Sequence, residues 1–214
     1  SRRFQSDADG RPHKVGIARS AYAVYTFDEP GIPTELEQMI ESTYVVGARG
    51  RVGQAISGRL AERGVRVLDG PSGADLVLLC VPDRSIAAVA RDLEPGPWVA
   101  HVSGATPLDA LEPHMRRFSL HPLQTFTASR GSEQLDGAWA ALTADDEDAE
   151  TVGRWLARTL GLQPFPLDDV RRTLYHCGAT MASNYLVTIH RAAASLLVGA
   201  GAPAEGLTPL MRRT

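Results

Sequence analysis

The sequence predicts an α/β protein: a doubly wound parallel sheet followed by a helical segment. Three observations carry this. Tyr44 to Gly53 (YVVGARGRVG) is an apolar run that ends in three glycines three residues apart and leads into the helical pattern QAISGRLAERG. Leu76 to Val81, within ADLVLLCVPD, is a continuous apolar run of the kind that parallel sheets bury on both faces. Further strand patterns then alternate with short helical ones as far as Pro166.

Composition narrows the function. At 214 residues and 43% hydrophobic, the chain can bury a proper core. Its formal net charge of −3 points to neither nucleic acid nor an anionic membrane as partner. No apolar run approaches a membrane span, and SRRFQSDADGRPH has no apolar signal core, so the cytoplasm is the expected location. Cys80 and Cys177 read as reduced core thiols. Lys14 is the single lysine, against 21 arginines. That excludes a phosphate-loop lysine, a Tyr-x-x-x-Lys pair and a Schiff base, each of which needs a lysine at a fixed place. Any proton donor is then His, Asp, Glu, Tyr, Cys or water.

The elements follow in order. Residues 1–42 form an N-terminal extension with a strand pair in HKVGIARSAYAVYTF and a short helix in PTELEQMIES. After the glycine turn and its helix, Val65 to Leu68 is a second strand, ended by Asp69. Only Asp69 to Asp75 separates it from the next strand, which spans about 25 Å at roughly 3.3–3.6 Å per residue. This suffices to run back along a short strand, but a helical crossover needs a dozen residues or more. The second helix of a dinucleotide fold is therefore absent. Helix RSIAAVARDLE, strand WVAHVSGA, helix PLDALEPHM, strand FSLHPLQTF and strand AWAALT come next. An amphipathic helix follows from Asp145 to Leu160, with Gly161 past its end. Its acidic start, DDEDAE, suits the helix dipole better than a metal, and no metal site is predicted. A strand near Gln163 to Pro166 closes the layer, and Asp168 and Asp169 cap a long helix from about Val170 to Gly199.

Strand ends concentrate the chemistry, since ligands of doubly wound sheets gather at the carboxyl ends of the strands. In the glycine turn Gly47 makes the tight turn, Gly50 permits close approach and Gly53 packs helix on strand, with Arg49, Arg51 and Val52 between them. Free N–H groups and the helix dipole there favour a pyrophosphate. The spacing G-x-x-G-x-x-G is one residue longer than the usual G-x-G-x-x-G, and a ligand-free strand-to-helix turn is the alternative. Asp69 stands where a carboxylate holds an adenosine ribose, which favours NAD over NADP; it also suits an ordinary turn in DGPSG. Val81 and Pro82 end the next strand and Asp83 caps the helix after it. Ser103-Gly104 presents a hydroxyl and a close backbone, or simply ends a strand. His121 is a strand-end imidazole, functional or buried and satisfied. At 100° per residue, His176, Thr180, Ser183 and Asn184 share one face of their helix, for a ligand or for a dimer seam.

These segments, VVGARGRVG, LLCVPDRSI, HVSGA, SLHPLQTF and YHCGATMASNYL, resemble Rossmann-like proteins with an uncharacterised helical domain, in the 6-phosphogluconate dehydrogenase-like superfamily. They are similar to ketopantoate reductases and, more distantly, to prephenate dehydrogenases. The resemblance spans about 43–214, and residues 1–42 find no counterpart. It implies an abbreviated Rossmann-type dinucleotide domain over 43–166 and, over 167–214, a truncated helical dimerisation domain. It further implies a homodimeric, nicotinamide-dependent reductase of a small keto acid or imine, using NAD or NADP. The cofactor carries the hydride chemistry. Ser103 and Asn184 would bond the substrate carbonyl, and His176 or His121 would supply the proton. Two other readings stand beside it: a non-catalytic binding or dimerisation module without its cofactor wall, and a prephenate-type dehydrogenase suggested by the strand-end His-Pro.

Overall fold

The computed structural model describes residues 40–213. The strand pair expected in HKVGIARSAYAVYTF and most of the PTELEQMIES helix lie outside the described residues. Of the latter segment, Ser42 opens a strand.

Seven strands form one sheet: β1 (Ser42–Val46), β2 (Arg66–Leu68), β3 (Leu76–Leu79), β4 (Trp98–His101), β5 (Arg117–Pro122), β6 (Trp139–Ala144) and β7 (Gln163–Pro166). Their order is β2-β1-β3-β4-β5-β6-β7. The first five run parallel, with Tyr44 level with Leu68 on one side and with Val77 on the other. The Asp69–Asp75 link therefore carries the chain across β1 without a helix, as its length requires. Asp75 fixes the start of β1: its carboxylate accepts from the Ser42 N–H at 2.9 Å and the Ser42 hydroxyl at 2.8 Å.

The expectation of a parallel sheet fails at one pairing. β6 runs antiparallel to β5, with His121 opposite Ala141, and β7 then runs parallel to β6. The chain between β5 and β6 holds only a 3₁₀ turn, Ser132–Leu135, and no crossover helix, so it reverses rather than returning to the far end of the sheet.

Helices α1 (Arg51–Glu62), α2 (Asp83–Arg91) and α3 (Glu147–Thr159) cover both faces. Alternation along the buried strands divides the core. Leu76, Leu78, Trp98, Ala100 and Phe118 pack with Ile56 and Leu60 of α1 and Trp155 and Leu156 of α3. Val77, Leu79 and Val99 pack with Ile86 and Ala90 of α2 and with Leu108 and Leu111. The helix expected in PLDALEPHM is only a 3₁₀ turn, Leu108–Leu111, halted by Pro113. In α3 the Asp146 carboxylate caps the start, two residues later than expected, by accepting from the Ala149 N–H at 2.7 Å, and Gly161 stands past the end at φ +79°, as predicted.

Beyond β7 come α4 (Arg172–Thr180), a π turn (Met181–Tyr185), α5 (Leu186–Gly199) and α6 (Leu207–Arg213). Backbone angles at Met181 and Leu186 stay helical, so α4, the π turn and α5 form one rod. Its start departs from expectation. Neither Asp168 nor Asp169 caps it through a side chain; the Asp169 carboxylate instead accepts from the Leu108 N–H at 3.0 Å. α5 buries no residue, and Cys177, expected in the core, is exposed. Cys80 is also a free thiol, and burial pushes its pKa up to about 12. Among the described residues no helix is long and apolar enough to cross a membrane, and no His, Cys, Asp and Glu group could hold a metal.

Candidate active site

The carboxyl ends of β1 to β5 share one edge of the sheet, and the order reverses at β1, with β2 on one side and β3 on the other. The glycine turn sits at that switch point. Gly47 has φ +86°, and a Cβ there would strike the carbonyl of Cys80 at the end of β3. A Cβ on Gly53 would strike the carbonyl of Gly47, so only glycine lets α1 approach the turn this closely. The exposed Gly50 donates its N–H to Gly47 O at 2.9 Å and begins α1 without any side-chain cap. The first turn of α1 has no acidic residue, so its N–H groups and the positive end of its dipole face outward without a carboxylate of the chain's own.

Arg49 and Arg51 are exposed, and Arg51 Nη1 donates to Phe126 O at 3.3 Å, tying the turn to the loop after β5. Val52 packs on the core. Asp69 is exposed directly after β2, beside the turn. Across the switch point, Val81 packs on the second core while Pro82 and Asp83 are exposed. The cap expected of Asp83 is absent, since Pro82 occupies that position and Asp83 is the first helical residue.

A second cluster lies at the ends of β4 and β5. There α4 brings His176 and Tyr175 against His121, with ring centroids 6.3 Å and 5.5 Å away. Tyr175 Oη lies 2.6 Å from His121 Nδ1. Gly104 fits between the two histidines: a Cβ there would stand 2.9 Å from His121 Nε2 and 2.9 Å from His176 Nδ1. The latter nitrogen is buried and has no hydrogen-bond partner. Burial, then the neighbouring His176 and the Arg172 guanidinium, push His121 down to about 4, so its ring is neutral at neutral pH. A neutral N–H is what the ring offers.

Beside the cluster a cavity of about 770 Å³ opens between the end of β5 and the α4 rod. His121, Tyr175, His176, Thr180, Ser183 and Asn184 line it, so the helical stripe and one strand end share a single space. Within the stripe, Ser183 Oγ donates back to Ala179 O at 2.8 Å, in the segment where the helix widens to a π turn. Asn184 is exposed. Ser103 does not line the cavity. It is buried, and its oxygen accepts from the N–H groups of Ala105 and Thr106 at 3.2 Å and 3.0 Å. It shapes the turn that presents Gly104 and keeps one proton to donate.

Two residues of the cluster escaped sequence reasoning. Arg172, 2% exposed, donates to Ser103 O at 3.0 Å, to Ser119 Oγ at 2.6 Å and to Asp169 Oδ1 at 2.8 Å. It anchors α4 to β4 and β5. Its signal was present: Arg172 lies four residues before His176, on the same helical face. Tyr175 had no such signal, being about 100° around the helix from His176, and only the strand-end His121 unites them.

Residues 138–214 match a family described as a domain of unknown function, DUF2520. No curated protein matches the chain. A candidate NADP oxidoreductase from Bacteroides fragilis is 17% identical, with TM-score 0.66 over 82% of this chain and 79% of its own. A semialdehyde dehydrogenase NAD-binding protein from Cupriavidus necator, solved with calcium and NAD, is 19% identical, with TM-score 0.63 over 81% and 80%. Prephenate dehydrogenase from Aquifex aeolicus, solved with hydroxyphenyl propionate and NAD+, is 14% identical, with TM-score 0.58 over 75% and 70%. At these identities the likeness establishes a Rossmann-like α/β fold.

Proposed function

We propose that the protein is an NAD(P)-dependent oxidoreductase that reduces a small keto acid or imine, with a substrate specificity of the ketopantoate reductase kind. The observation that carries this is the uncapped glycine turn at the β1/β3 switch point, where Gly47 and Gly53 have no room for a Cβ. Gly47, Arg49, Gly50, Arg51, Val52 and Gly53 would hold the pyrophosphate, and Asp69 the adenosine ribose, favouring NADH because a 2′-phosphate would face its carboxylate. Val81, Pro82 and Asp83 would flank the nicotinamide half. The bound dinucleotide supplies the hydride.

The chain's own residues would do the rest. Gly104 lets the His121 and His176 rings pack close to the backbone, Asn184 offers its amide to the substrate carbonyl, and the cavity that all three side chains line takes the substrate body. Titration calorimetry with NADH and NADPH tests the reading: NADH is expected to bind more tightly. Binding of neither at millimolar concentration would overturn the reading and leave a binding or dimerisation module.

The exposed rod supports a homodimer. Leu174, Met181, Leu186 and Ile189 are 79%, 60%, 49% and 65% exposed, an apolar face of the kind a second copy covers.

A further inference from the structure

Resting on that reading, we propose that Tyr175 is a positioning residue: it fixes the tautomer of His121 and carries protons between that ring and the solvent in the cavity. The Oη to Nδ1 distance of 2.6 Å is a short hydrogen bond, and the Tyr175 ring is held from a further side by Phe165, 5.9 Å away centroid to centroid. Burial pushes the phenol up to about 12 and the imidazole down to about 4, so across the neutral range both groups are uncharged and one proton lies between them.

Among the described residues, His121 Nδ1 is the acceptor that the Tyr175 hydroxyl has. A phenol in a half-buried site donates to the acceptor it meets, since leaving the donor unmade costs more than the reversed bond returns. Nδ1 is then the bare nitrogen, and the ring proton sits on Nε2, the atom packed close to Gly104. His121 thus offers a neutral donor to a carbonyl oxygen bound in the cavity it lines.

The proton balance closes through the cavity, which both Tyr175 and His121 line. In a reduction, a bound dihydronicotinamide would supply the hydride with its two electrons to the carbonyl carbon, and His121 would give its Nε2 proton to the carbonyl oxygen. The Tyr175 proton moves to Nδ1, and cavity water reprotonates the phenolate, releasing hydroxide to solvent. One solvent proton has then reached the substrate oxygen, and exchange with water returns the ring to its first tautomer. Without the hydroxyl, His121 would have to recover its proton across the substrate side.

Nitrogen NMR of protein labelled at histidine, with no ligand added, tests this. In the wild type at pH 7, His121 is expected to show a bare, hydrogen-bonded Nδ1 and a protonated Nε2. Tyr175→Phe keeps the ring and its packing. In that variant the Nδ1 signal should move to that of an unbonded nitrogen. The His121 midpoint should also rise by roughly one pH unit, because the phenol favours the neutral ring. The other groups acting on His121 are His176 and Arg172 on α4 and Asp83 at the start of α2, and all three stay in place. A proton on Nδ1 in the wild type overturns the proposal even if the variant fails to fold, and so does an unchanged spectrum in a folded variant. NADH titration of both proteins separates the two levels. Equal binding is expected, and absence of binding to the wild type overturns the oxidoreductase reading while the spectrum alone judges the tautomer.

Discussion

Arg172→Met is expected to destabilise the fold far more than the same change one residue earlier. Arg172 is 2% exposed and holds two buried acceptors, Ser103 O and Ser119 Oγ, together with the Asp169 carboxylate. Leaving a buried acceptor unmet costs about 1–3 kcal/mol. The Asp169 side chain is 35% exposed, so water replaces the guanidinium there and this pair adds little. Relief of the buried charge offsets part of the loss. The balance is roughly 3 kcal/mol, a midpoint fall of about 6–12 °C for a domain of this size. Arg171 is the internal control: its side chain is 74% exposed and meets Asp168 only at 3.5 Å, so Arg171→Met should cost less than about 0.5 kcal/mol. Urea and thermal unfolding followed by circular dichroism measure both. Equal stabilities for the two variants would refute the claim that Arg172 pins α4 to β4 and β5.

Stability should also depend on acid. His101 and His121 sit at about 3 and about 4 in the fold, against an ordinary 6.5, so between these values the unfolded chain binds more protons than the native one. Stability is therefore full above pH 6.5 and declines as pH falls towards 4; a urea midpoint that stays flat from pH 7.5 to 4.5 would contradict it. Gly104→Ala places a methyl 2.8 Å from His121 Cε1 and 2.9 Å from His176 Nδ1, and should shift both imidazole resonances while sparing NADH affinity. Unmoved resonances would show that the rings are not held against that glycine. Ile189→Glu, on the exposed face of α5, should convert a dimer seen by light scattering into a monomer without lowering secondary structure; a wild type that is monomeric at tens of micromolar would remove the basis for this.

What the sequence disclosed depended on how local the cause was. The Asp69–Asp75 link could be read from chain length alone, because no helix fits into seven residues, and the structure routes it past β1 as that arithmetic demands. The glycine turn was equally legible, since backbone sterics at Gly47 and Gly53 are decided within a few residues. The reversal at β6 was harder. Its signal is a missing one, the lack of a helical pattern between HPLQTF and AWAALT, and a strand's direction leaves little trace in its own residues.

At the cluster, residue type was a poor guide to role, because the deciding partners are distant in sequence. Ser103 looks like a substrate hydroxyl until Ala105 and Thr106 take its oxygen. Arg172 looks like one of two surface arginines until three acceptors are found around it, two of them 69 and 53 residues away. His121 looks like a group that titrates near neutrality until burial, His176 and Arg172 remove its charge. Tyr175 changes its meaning most. On the helix alone it is an aromatic off the polar stripe, yet the end of β5 sets His121 in reach of both Tyr175 and His176. A strand-end imidazole held neutral, bonded on one nitrogen and packed close to Gly104 beside the other, is a directional donor. That direction arises from the junction of sheet and rod, which no single segment of the chain encodes.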